Sequence, residues 1–166
     1  TIMDGLALKA SYVPSHTTGA VEGSVDYGVK FSPSAIEGLD VYAAMGENND
    51  AANSADVSMM AVSYASGPFT VGYQVNETDF GTGSSDEDFT AVGVSYALTD
   101  DLSVSVNTSV IDYEASSKDD QEAQAISFSH TTGGMTISGT YGKMDNVAGT
   151  TTADNAAYEL NFKFAF

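Results

Sequence analysis

The sequence predicts an all-β protein, an antiparallel up-and-down transmembrane β-barrel with about ten strands in this chain. Three observations lead there. Apolar side chains recur at every second position in ten separate segments, and successive side chains of a strand point to opposite faces. The nine connections between those segments alternate long and short, the pattern of hairpin-joined antiparallel neighbours with two unlike ends. The face opposite the apolar one is rich in Gly, Ala, Ser, Thr and Asn, where a water-facing sheet more often has Lys, Glu and Arg.

In chain order, the apolar faces are Leu6, Leu8, Ala10 and Tyr12; Val25, Tyr27, Val29 and Phe31; Leu39, Val41, Ala43 and Met45; and Met60, Val62 and Tyr64. They continue with Phe69, Val71, Tyr73 and Val75; Val92, Val94, Tyr96 and Leu98; and Leu102, Val104 and Val106. The last three are Ile126 and Phe128; Met135, Ile137, Gly139 and Tyr141; and Tyr158, Leu160, Phe162, Phe164 and Phe166. The long connections are 14–23, 47–56, 77–88, 114–122 and 146–155; the short ones are 32–38, 66–68, 99–101 and 131–134. Gly, Pro, Asp and Ser supply their turn chemistry. In Val110-Ile111-Asp112-Tyr113 the apolar parity slips by one, which predicts either a bulge or the end of the apolar band. There is no repeat or linker, so residues 1–166 are expected to form a single domain.

Composition narrows the function. The 166 residues carry 23 acidic side chains against five lysines and no arginine, a net charge of −18. Such a polyanion has no basic stripe to displace counterions from nucleic acid. Without cysteine there is no disulfide, thiol nucleophile or thiolate metal site. No apolar run reaches the roughly 18 residues of a membrane helix. The chain starts Thr1-Ile2-Met3 with no signal peptide, the expected look of a processed or truncated product.

The apolar face can point into a soluble core or out to lipid. The small-residue polar face favours lipid. So do segments of about nine to eleven residues, the length of a tilted membrane strand, against roughly five or six in soluble sheets. Phe31, Phe69, Tyr96 and Phe128, with Phe166, gather near the short-turn end like an interfacial aromatic girdle.

The terminal series Tyr158, Leu160, Phe162, Phe164 and Phe166 resembles the C-terminal assembly signal of Gram-negative outer-membrane barrels. Over nearly its whole length the chain is similar to the C-terminal portion of a general bacterial porin. The resemblance implies short turns on the periplasmic side, long loops outside, and a homotrimer in contact with outer-membrane lipid and lipopolysaccharide. It also implies sixteen strands. Ten strands in 166 residues take about 17 each, so sixteen need roughly 270, and the chain is expected to be the last ten of sixteen. The constriction loop and the family's basic cluster would lie largely in the remainder. The lack of arginine fits that, or marks a cation-preferring pore. The implied function is a water-filled channel for passive diffusion of small hydrophilic solutes and ions, with no enzyme activity and no cofactor. The alternative is a complete ten-stranded barrel with a structural or adhesive surface role.

By parity the lumen-facing set contains Lys9, Asp26, Lys30, Asp40, Tyr42, Gln74, Asn76, Asn107, Glu159, Asn161 and Lys163. Its charges would order water and bias ion selectivity, and Asp26 and Asp40 are placed to pair with lumen lysines. Three acidic stretches are candidate Ca²⁺ or Mg²⁺ ligands, or bridges to lipid phosphates: Glu47 to Asp50; Asp86, Glu87 and Asp88; and Asp119, Asp120 and Glu122. None has EF-hand spacing, and solvated loop charge is the favoured reading of all three. His16 lies in a long loop and His130 at a short-turn end, too far apart for one catalytic site. Gly5, Gly28, Gly72, Gly93 and Gly139 precede no helix and are expected to mark close packing or curvature inside strands.

Overall fold

The computed structural model describes residues 3–15, 23–49, 54–81 and 86–165; His16, Asp50 and Phe166 lie outside these. The described chain is a single meander of ten strands: β1 (Leu6–Val13), β2 (Ser24–Phe31), β3 (Leu39–Asn48), β4 (Ala55–Ser66), β5 (Phe69–Asp79), β6 (Glu87–Ala97), β7 (Leu102–Tyr113), β8 (Gln121–Thr132), β9 (Met135–Asp145) and β10 (Asn155–Phe164). Every strand pairs antiparallel with its sequence neighbours, in the order β1 to β10. Among the described residues the first and last strands do not pair with each other, so the sheet is open.

Registers confirm the parity strand by strand. Directly opposed residues share a face, and the apolar series stay matched: Leu8 with Val29, Val41 with Val62, Val71 with Val94, Val106 with Ile126, and Ile137 with Phe162. The β6–β7 ladder runs unbroken from Glu87–Tyr113 to Ala97–Ser103. The parity slip at Ile111 is therefore the end of the apolar band and not a bulge.

Exposure is inverted relative to a soluble sheet. Leu8 is 63% exposed, Met60 61% and Tyr158 87%, and Ala55 is the only buried hydrophobic residue among those described. In β6, Val92 and Val94 are exposed while Ala91, Gly93 and Ser95 are half-buried; β8 repeats this with Ile126 and Phe128 against Ala125 and Ser127. The small-residue face is the sheltered, concave one, and the apolar face is convex. A convex apolar surface of this kind suits a hydrocarbon medium.

The strands run further than the apolar alternation alone indicates. The ten strands have 8 to 12 residues, and at their long-loop ends β3, β4, β5, β6, β8 and β10 extend into segments expected to be loop. Much of the acidic charge expected in those loops therefore sits on strand ends. Glu47, Asp56 and Asp79 lie directly across β3–β4–β5, and Glu77, Asp88 and Asp112 across β5–β6–β7, all on the convex face. The physical reason is that backbone pairing continues past the apolar band, where polar side chains must take over.

At the opposite end the turns are tight. Gly67–Pro68 and Gly133–Gly134 join β4 to β5 and β8 to β9. Gly38, just before β3, has φ +82, and a Cβ there would collide with the Ala65 carbonyl. That contact lets the Ala65 N–H reach the Gly38 carbonyl at 2.9 Å, one rung below the regular β3–β4 ladder. Only glycine accepts this backbone without strain; Gly5, expected inside a strand, likewise lies just before β1, with φ +76. Phe69 and Tyr96, opposed across β5–β6 near this end, have ring centroids 4.5 Å apart, as the aromatic girdle requires.

Candidate pore wall

The concave face gathers all eleven residues expected to face the lumen. Lys9 opposes Gly28 across β1–β2, Lys30 opposes Tyr42 across β2–β3, and Glu159, Asn161 and Lys163 share the face on β10. Gln74, Asn76 and Asn107 occupy the same side of β5 and β7. Lys30 and Asp40 do pair: the Lys30 ammonium lies 3.1 Å from an Asp40 carboxylate oxygen. The Asp40 carboxylate also accepts hydrogen bonds from the Ser32 hydroxyl and, at 3.3 Å, from the Tyr42 hydroxyl. Lys30 sits 5.2 Å from the Tyr42 ring centroid as well, so it is held by charge and by the ring face. Asp26 instead accepts a hydrogen bond from the Ser11 hydroxyl at 2.6 Å.

The register adds wall residues that parity within single strands did not single out. Ser95, Ser105, Ser127 and Thr140 form one row across β6–β9, and Ser103, Ser129 and Ser138 form a second. Hydroxyls of Ser127 and Thr140 are 2.9 Å apart, and those of Thr131 and Thr136 3.0 Å. Near the long-loop end the wall turns apolar, with Met59, Phe89 and Ile111 in the row that includes Asn76. The parity slip at Ile111 was the one local sign of that patch.

The outer loops interlock. The Asp119 N–H donates to the Gly149 carbonyl at 3.1 Å, and the Asn146 side-chain amide to the Asp120 carbonyl at 3.0 Å. The Thr151 hydroxyl also donates to the Asp119 carboxylate. Lys118, in the same loop, lies 4.1 Å from the ring centroid of concave-face Tyr113. The loops after β7 and β9 thus form one unit anchored on the wall.

Asp86, Glu87 and Asp88 do not converge. Glu87 and Asp88 are consecutive in β6 and point to opposite faces, while Asp86 accepts the Phe80 N–H at 2.9 Å. Among the described residues no group of three or more His, Cys, Asp or Glu is arranged to hold a metal ion. His130 is on the convex face, between Leu102 and Ile137. The terminal series Tyr158, Leu160, Phe162 and Phe164 projects from the convex face of β10.

The sequence profile of the Gram-negative porins matches residues 2–166. The chain belongs to the Gram-negative porin family. Solved porin structures share its fold. The anion-selective porin from Comamonas acidovorans superposes with a TM-score of 0.78 over 99% of this chain and 57% of that one, at 11% identity. A mutant of the Rh. blastica porin superposes with a TM-score of 0.65 over 91% of this chain and 48% of its own, at 18% identity. The porin chain described here thus spans about half the length of those structures. A comparison with curated protein sequences returns no match. Family and fold place the protein in the outer membrane of a Gram-negative bacterium.

Proposed function

We propose that this porin forms a water-filled channel for passive diffusion of small hydrophilic solutes and ions. The observation behind the proposal is the inverted sheet: a convex apolar face suited to lipid backs a concave face of hydroxyls, amides and paired charges. Wall charge and lumen width set what passes, and nothing in the arrangement requires an energy source or covalent chemistry. The open edges of β1 and β10 must be paired in lipid, because unsatisfied backbone groups there cost several kcal/mol each. Further strands closing the barrel meet that need, in keeping with the length of the neighbouring structures.

The family resemblance supports a homotrimer. The convex acidic rows lie beyond the apolar band, at the level of lipid headgroups, where divalent cations would bridge them to lipopolysaccharide phosphates. Single-channel recording of the purified full-length protein in planar bilayers tests the channel. Discrete conductance steps in KCl are expected. A well-inserted barrel without steps, in liposomes that fail to swell in sugar solutions, would instead support a structural or adhesive surface role.

A further inference from the structure

The concave wall is divided by charge. β1–β3 and β10 present Lys9, Asp26, Lys30, Asp40, Glu159 and Lys163. The six consecutive strands β4–β9 present one charge, Glu87, at their long-loop end. Largely within this stretch, with Tyr42 of β3 at its edge, lies a hollow of about 450 Å³, inside the range of roughly 300–1,000 Å³ for small-molecule sites. Gly72 and Gly93, directly paired across β5–β6, form its floor. The Tyr42 and Phe89 rings and the Gln74 and Asn107 amides form its rim.

The protein's own fold does not account for the two floor glycines. A mid-strand glycine weakens a sheet and usually marks a bulge, a bend or a close approach. The ladders on both sides of β5 and β6 run without a bulge. Neither glycine has a positive φ; a Cβ on Gly72 would come no nearer than 3.9 Å to another atom, and one on Gly93 no nearer than 3.5 Å. Gly139 on the convex face is different: a Cβ there would come within 2.5 Å of the Phe128 ring. The space over Gly72 and Gly93 is left open to the lumen.

We propose that this hollow is a weak binding subsite for uncharged, polyhydroxylated solutes of sugar-like shape, an inference that rests on the diffusion-channel reading. A sugar ring has a C–H face for the aromatic rim and hydroxyls for the amides. The Gln74 Nε2 donates to Asn76 at 3.0 Å, which orients its carbonyl oxygen as a free acceptor. Asn107 makes no side-chain hydrogen bond to another described residue and offers both donor and acceptor. The lining of the hollow offers an ionic solute no counter-charge, so such a solute loses hydration there without a partner. A purely apolar solute leaves the rim amides unpaired.

The test is ion current through the full-length protein in planar bilayers, in KCl, while sucrose is titrated. Each variant is read against its own open current. The expected result is a saturable fall beyond the change in bulk conductivity. Gly93→Val, which fills the hollow with a strand-compatible side chain, and Phe89→Ala should each weaken that saturable component about tenfold. A sucrose effect that only follows bulk conductivity overturns the proposal. So does one unchanged in both variants, or one matched in affinity by gluconate or glucosamine. If Gly93→Val does not insert, Phe89→Ala decides. Absence of current in the unmodified protein is a separate outcome that removes the channel reading itself, and the subsite with it.

Discussion

At the residue scale, one small set of contacts decides the local field of the wall. Lys30 is bound by Asp40 and lies against the Tyr42 ring, so its charge is compensated where it stands. Replacing Lys30 with Met leaves Asp40 uncompensated. The reversal potential under a KCl gradient should then shift toward cation preference, and the Lys30→Met, Asp40→Asn double variant should return near the starting value. A shift toward anions would contradict the pairing. Gly38 tests the backbone in the same way. With φ +82 and the Ala65 carbonyl where a side chain would go, Gly38→Ala should destabilise by about 1–3 kcal/mol. Thermal loss of the β-sheet circular dichroism signal in detergent measures it, and an unchanged midpoint would refute the strain.

At the scale of the strand, the decisive property is which face a position occupies. Val94 and Ser95 are adjacent in β6 and point to opposite media. Arginine at Val94 sits against lipid and should cost about 2–4 kcal/mol near the bilayer midplane. Arginine at Ser95 enters the aqueous lumen. It should fold normally and shift selectivity toward anions. Refolding into lipid vesicles, followed by gel mobility, separates the two, and equal yields would show the faces to be assigned wrongly. This alternation was legible residue by residue, because the period-two code is written within each strand. The outer strand ends were not, since Glu47, Asp56, Glu77 and Asp88 look like loop chemistry in sequence. Only their ladders reveal them as paired strand residues. Lys118 and Gly149 were equally illegible as partners, because two loops 31 residues apart meet only after β8 and β9 are in place.

Across the whole molecule, charge is sorted by height and by face. Eight strand carboxylates stand on the convex face at the long-loop end, at Glu47, Asp56, Glu77, Asp79, Asp88, Asp112, Glu122 and Asp145. Lys143 is the single strand lysine there, and it is bound to Asp145 at 2.7 Å. Like charges directly opposed across strands destabilise a sheet, and salt screens them at exposed sites. The thermal midpoint should therefore rise as salt increases from about 10 mM to about 0.5 M, where the Debye length falls below these separations. A falling midpoint would mean that attractive pairs dominate instead. The same sorting leaves the wall of β4–β9 nearly neutral, so selectivity among ions is expected to come from its flanks and mouth.

By itself, the sequence determined the strand number, the two unlike ends and the assignment of lipid and water faces. Side-chain alternation and turn chemistry are local and survive without knowledge of the partners. The family likeness followed from the same features. The tertiary structure decided everything that depends on register: the Lys30–Asp40 pair, the rows of opposed carboxylates, the hydroxyl ladders, and the glycine floor shared by β5 and β6. Register is the sum of pairings between segments distant in sequence, and a shift in any one ladder would give every residue in it a different neighbour. Local chemistry specifies which way a side chain faces, and only the assembled sheet specifies what it faces beside.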